Sequence, residues 1–101
     1  MLTSKQRAYL RGVAAEADTI AIIGKGGITE NVIIQMNDAL KARELVKGRV
    51  LENSLLSARE AADAMSEVCR AEVVQVIGSK FVLFKRNEQK PKIELPKAKK
   101  K

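Results

Sequence analysis

The sequence predicts an α/β domain, a compact two-layer sandwich in which a four-stranded mixed sheet packs with three helices in the order αβαβαββ. Three observations lead there. In three stretches, apolar residues recur with the 3.6-residue period of a helix that buries one face. Between and after these stretches lie short runs dominated by Ile, Val and Leu, a composition suited to strands. Strand–helix–strand connections favour right-handed crossovers and parallel pairing, whereas the last two runs flank a Gly78-Ser79-Lys80 turn and must pair antiparallel, so the sheet is mixed. The 101 residues suit one domain with one core.

The first helix is predicted over 4–17, capped by Thr3 or Ser4, with Leu10, Val13, Ala14 and Ala17 on its buried face. Arg7 and Arg11 are one helical turn apart and share a strip beside that face, while Lys5 projects elsewhere. "TIAII", 19–23, reads as a buried strand. A glycine loop, Gly24 to Gly27, follows it, and Thr29 can cap a second helix over 30–43. Val32, Ile33, Met36 and Leu40 form the stripe of that helix, and Ile34 falls outside it. "ELVKGRVL", 44–51, reads as the second strand, with Lys47 and Arg49 on one face, so the middle of that face meets solvent or a ligand. Gly48 weakens this strand or marks a bulge or a close approach. "SARE" at 57–60 fits the S-x-x-E capping box of a third helix over 58–70, whose apolar face is Ala61, Ala62, Met65, Val68 and Cys69. "VVQVI" and "FVLFK" then form a hairpin, with Gly78-Ser79 suited to a type II′ turn.

From about Asn87 the pattern stops. The segment 87–101 has two prolines, high charge and little to bury, so a disordered basic tail is expected beside a folded domain over 1–86. The net charge is +7, and 85–101 carries eight basic and two acidic residues, most of that excess. A single cysteine and no histidine exclude a disulfide framework and argue against a structural zinc site. They also remove the commonest general base. No apolar run approaches the roughly 18 residues of a membrane span, and the N-terminal segment lacks the apolar middle of a signal peptide. A cytoplasmic setting, with no membrane and no cofactor, is the expectation. Cys69 lies on an apolar helix face and reads as a core residue.

Gly24, Lys25, Gly26 and Gly27 admit three readings. A bare structural turn is the plainest, because glycine accepts positive φ. A nucleotide site fits poorly. A P-loop needs G-x-x-x-x-G-K-[ST], but Gly26 follows the only Gly-Lys pair, and a dinucleotide fingerprint would need glycine where Thr29 stands. A nucleic-acid site explains more. G-x-x-G lets a sugar-phosphate backbone approach without intervening Cβ atoms, the following helix start favours an anion, and Lys25 adds a mobile charge. Lys41, Arg43, Lys47 and Arg49 extend that patch or keep an open sheet face soluble.

"LTSKQRAYLRG", "IIGKGGITENVI", "ALKARELVKGRVL" and "VVQVIGSKFVLFKR" together resemble a CRM domain (chloroplast RNA splicing and ribosome maturation), and more narrowly the bacterial stand-alone YhbY type, over about 2–86. The resemblance implies a fold similar to the C-terminal domain of translation initiation factor three. It implies a non-enzymatic RNA-binding protein that associates with ribosomal RNA in precursors of the large ribosomal subunit and helps to assemble it. Plant organelle relatives use the domain in group II intron splicing. By position, the G-x-x-G loop falls on Gly24, Lys25, Gly26 and Gly27, the basic first-helix block on Lys5, Gln6, Arg7 and Arg11, and the strand block on Lys47 and Arg49. Gly48 stands where the resemblance leads one to expect an apolar residue. The alternatives are a general RNA chaperone, an intron-associated factor or, from another class, a small nucleotide-binding enzyme. With one Tyr, two Phe and no Trp, base stacking is limited, so recognition of RNA shape is expected. Nothing in the sequence signals self-pairing, and a monomer is expected.

Overall fold

Thr3 starts the first helix, α1 (Ser4–Ala15), with a reciprocal capping box. Its hydroxyl accepts from the Gln6 N–H at 3.0 Å, and Gln6 Oε1 accepts from the Thr3 N–H at 3.1 Å. The computed structural model describes residues 2–86, and the tail expected over 87–101 lies outside them. The chain continues through β1 (Thr19–Ile23), α2 (Glu30–Arg43), β2 (Leu45–Val50), α3 (Ala58–Cys69), β3 (Glu72–Ile77) and β4 (Lys80–Phe84). Ser57 and Glu60 close the capping box of α3, as the S-x-x-E spacing predicts. α1 ends two residues earlier than predicted because its last turn tightens. The Glu16 N–H donates to Val13 and the Ala17 N–H to Ala14, both three residues back.

The sheet order is β1-β2-β4-β3. β1 and β2 are parallel, joined through α2, and β4 pairs antiparallel with both β2 and β3. Gly78 has φ +58 and Ser79 does not have a positive φ, the sign pattern of the expected type II′ turn. α2 and α3 cover one face of the sheet, where Ala21, Ile23, Met36, Leu40, Val46, Met65, Phe81 and Leu83 form the main core. α1 lies on the opposite face, where Leu10 and Ala14 pack on Leu45, Val74, Val82 and Phe84. The sandwich of sheet and helices therefore holds for α2 and α3, and α1 adds a partial third layer.

This arrangement decides what is left open. α1 covers the end of its face near Leu45, Phe84 and Glu72, and leaves the other end bare. β1 is consequently half open. Ala21 and Ile23 are buried, but Ile20 and Ile22 are exposed, so the expected buried strand is an edge strand with one bare face. On α3, Val68 is likewise half exposed, because Ala58, Ala61, Ala62, Met65 and Cys69 already fill the contact. Ile34 is exposed, as its position outside the α2 stripe implies.

Gly48 is a close approach. A Cβ there would stand 2.4 Å from one carbon of the Phe81 ring and under 3.0 Å from two others. Phe81 pairs with Gly48 across β2 and β4, is fully buried, and fills the space a side chain would take. The strand itself is continuous from Leu45 to Val50.

Candidate nucleic-acid interface

The glycine loop is a tight turn at the C-terminal end of β1. The Gly27 N–H donates to the Gly24 carbonyl at 3.0 Å, which puts Lys25 and Gly26 at the two central positions of a four-residue turn. The three glycines meet different demands. Gly27 has φ +72, in the left-handed region that disfavours any side chain. Gly24 and Gly26 have no such φ. A Cβ at Gly26 would make only an ordinary 3.6 Å contact with Thr29, and one at Gly24 would meet Leu51 at 3.4 Å. The turn therefore explains Gly27, and the chain's own geometry does not call for glycine at Gly26.

Thr29 caps α2 by accepting from the Val32 N–H at 3.3 Å, and the Ile33 N–H donates to the Thr29 carbonyl at 3.0 Å. The Glu30 and Asn31 amides belong to the first turn and point out of the helix end. They add to the positive end of the helix dipole. Glu30 is exposed beside them, and its carboxylate stabilises the same dipole. Two other segments meet this end of the sheet. The Leu51 N–H donates to Ile23 at 2.8 Å, and the Val50 N–H donates to Ser79 at 2.8 Å. The glycine loop, the segment after β2 and the β3–β4 turn therefore form one rim.

Below that rim, on the face α1 leaves bare, ladder partners form a row across all four strands. Ile22 pairs with Arg49, Arg49 with Lys80, and Lys80 with Ile77. All four are exposed. Lys47 sits one row further in, half-buried, opposite Val82. Among the described residues, no ion pair engages Lys25, Lys47, Arg49 or Lys80.

The structure thus brings Gly24, Lys25, Gly26, Gly27 and Arg49 to one end of the sheet, with Lys47 beside them. The first-helix residues are elsewhere. Arg7 makes an ion pair with Glu72 at 3.7 Å, and the Leu2 N–H donates to the same carboxylate at 3.3 Å. Glu72 lies on the opposite edge strand, in the row of Leu45 and Phe84. From strand spacing and rise, that corner is roughly 20 Å from the glycine loop. Lys5 and Arg11 are exposed on the same helix. Lys41 and Arg43 occupy the last turn of α2, on the other face and at the other end, so they do not join the loop.

Sequence reasoning missed Lys80 and the exposed isoleucines. Alternation along the strands carries the signal for a shared face. The neighbours across the row depend on β4 inserting between β2 and β3, and no local pattern reports that. Cys69 is buried in the core, and burial pushes its thiol above the ordinary value, partly offset by the nearby Lys85 ammonium. This fits a packing role. No helix among the described residues is long and apolar enough to cross a membrane.

Comparison with known proteins places the fold in a family. The family model for the CRS1 / YhbY (CRM) domain matches residues 2–85. The chain is 42% identical over 96 residues to "Probable RNA-binding protein YqeI" of Bacillus subtilis (strain 168), covering 95% of this chain and 100% of that one. It is 32% identical over 95 residues to an "RNA-binding protein" of Haemophilus influenzae, covering 94% and 95%. The solution structure of SAV1595 from Staphylococcus aureus superposes with a TM-score of 0.79 at 49% identity, covering 95% of this chain and all of that one. The αβαβαββ fold is therefore that of a known domain, and the chain belongs to the CRS1 / YhbY (CRM) domain family.

Proposed function

We propose that this protein binds RNA without catalysing a reaction, and that it acts on ribosomal RNA in precursors of the large ribosomal subunit as an assembly factor. The observation that carries the RNA contact is Gly26. Neither backbone conformation nor packing demands glycine there, so its bareness serves something outside the chain. A phosphate backbone fits that role. The turn and the start of α2 present amides, Lys25 is exposed at the tip, and Arg49 and Lys47 widen the positive field. The RNA-binding names of the relatives support the reading. The ribosomal target rests on the family resemblance.

In this reading the domain over 1–86 holds an RNA segment in place, and the basic segment 87–101 acts as a non-specific tether. Lys5, Arg7 and Arg11 form a second contact, reached by an RNA long enough to span the molecule. The protein is cytoplasmic and monomeric, and assembly activity means shielding or positioning RNA with no covalent step.

Gly26→Asp tests the loop. It places a carboxylate where a phosphate would sit, while the fold tolerates a Cβ. RNA affinity should fall at least tenfold with the melting temperature within a few degrees of wild type; unchanged affinity would mean the loop is only a turn. Sedimentation of a cell lysate through a sucrose gradient tests the target. Retention in large-subunit precursor fractions at moderate salt supports assembly. A signal that spreads over all RNA at low salt and is lost at moderate salt points to a general RNA chaperone.

A further inference from the structure

On the bare end of the sheet, Arg49 and Lys80 are direct cross-strand partners, both exposed. Like charges opposite one another on a sheet are destabilising. No carboxylate among the described residues forms an ion pair with either, so no direct partner offsets their repulsion. On either side of them stand Ile22 and Ile77, which are 52% and 62% exposed. A merely solubilising surface has no need to set two cations together between two bare isoleucines.

We infer that the row Ile22–Arg49–Lys80–Ile77 is a further RNA contact, adjoining the glycine loop through Arg49, that takes one single strand across the sheet. The inference rests on the proposed RNA binding and adds where the strand runs and what holds it. Charge complementarity selects a polyanion. The two cations take neighbouring phosphates, and the isoleucines pack against ribose or base faces. Three interstrand gaps of about 4.8 Å give a row about 14 Å long, on the order of four stacked nucleotides at roughly 3.4 Å each. The row lies directly below the glycine loop, because Ile22 is two residues before Gly24 and β1 and β2 end together. A strand held by the loop can therefore continue over the row. The contact is sequence-tolerant, since phosphates and aliphatic side chains carry no base code.

The test is fluorescence anisotropy with the full chain and two probes, a labelled 12-nucleotide uridine RNA and a 12-base-pair RNA duplex, between 50 and 200 mM salt. Wild type should bind the single strand more tightly. Arg49→Gln and Lys80→Gln should each flatten the salt slope by about 0.7, so each loses roughly 2.5-fold less affinity across that range than wild type. Each should also melt about 1–5 °C higher at low salt, because the opposed charges are relieved. Ile22→Thr keeps the β-branch and should weaken binding at every salt with the slope unchanged. If Gly26→Asp impairs binding but Arg49→Gln, Lys80→Gln and Ile22→Thr bind like wild type, the row is not a contact and the loop reading stands. If wild type binds neither probe, both readings fail. Preference for the duplex, or self-association of wild type that Ile22→Thr abolishes, would give the row a different occupant and overturn the inference.

Discussion

Replacing Gly48 with alanine adds one carbon at a place where the structure has no room for it. The new Cβ would lie 2.4, 2.7 and 2.9 Å from three carbons of the Phe81 ring. Non-bonded carbons prefer about 3.5–4.0 Å, so the ring must retreat by about 1 Å or β2 must bow away. Phe81 is fully buried in the core beneath α2 and α3, and it cannot move without displacing neighbours. Overpacking of this kind costs about 1–3 kcal/mol, and three close carbons place Gly48→Ala in the upper part of that range. Alanine recovers about 0.5–1 kcal/mol from its smaller loss of backbone freedom. The expected net loss is therefore about 1–2 kcal/mol, a fall in melting temperature of roughly 5–15 °C for a domain of this size. Urea unfolding followed by circular dichroism measures it, with the slope m unchanged. The double variant Gly48→Ala/Phe81→Leu shortens the ring side chain and should be more stable than the sum of the two single changes, by about 1 kcal/mol. Wild-type stability of Gly48→Ala, or strict additivity in the cycle, would refute the close-approach account.

The loop glycines should separate in the same assay. Gly27→Ala, at φ +72, should lose about 1 kcal/mol, whereas Gly26→Ala should stay within about 0.5 kcal/mol of wild type. Equal losses would mean that the turn, and no ligand, requires both. Leu10 is the largest buried anchor of α1, so Leu10→Ala should cost about 2–5 kcal/mol and expose the amides of β3 and β4 beneath it to faster hydrogen exchange. Unchanged exchange would show that α1 does not hold that face. Cys69 has a folded-state pKa raised above its unfolded value, so the protonated thiol stabilises the fold at neutral pH. That contribution is lost as pH rises beyond about 8.5, where the unfolded thiol ionises first. Wild type should therefore lose melting temperature more steeply than Cys69→Ala between pH 8 and 10. Parallel profiles would refute this.

Local signals made most of the fold legible in advance. Thr29 and Ser57 cap α2 and α3 where their side chains imply, and the type II′ signs at Gly78 follow from a two-residue turn. What escaped depends on the partners of each element. Ile20 and Ile22 look like the rest of a buried strand, and only the position of α1 leaves them bare. Val68 has the right character for the α3 contact, but its neighbours fill that contact first. Gly48 raised the right alternatives, and choosing among them required knowing that Phe81 lies opposite. Of the candidate site, the turn over 24–27 at the end of β1 was legible because it is contiguous in sequence. The separation of Arg7 from the loop was not legible, since both edges of the sheet had to be known first.

The last strand of the described chain lies in the interior of the sheet, hydrogen-bonded on both sides. During synthesis, β1, α2 and β2 are therefore made well before β2 gains its second neighbour. The ribosome must add the residues from 51 to 84 first, which takes roughly 2–7 s at typical elongation rates. Throughout that interval one edge of β2 is unsatisfied, and Val46 and Val50 lack the Phe81 and Leu83 that complete their core. A nascent chain halted before Lys80 should be protease-sensitive along most of its length, and one whose Phe84 has cleared the ribosome should become resistant in a single step. The topology makes folding of this domain a late, all-at-once event, with the N-terminal half dependent on a strand not yet made.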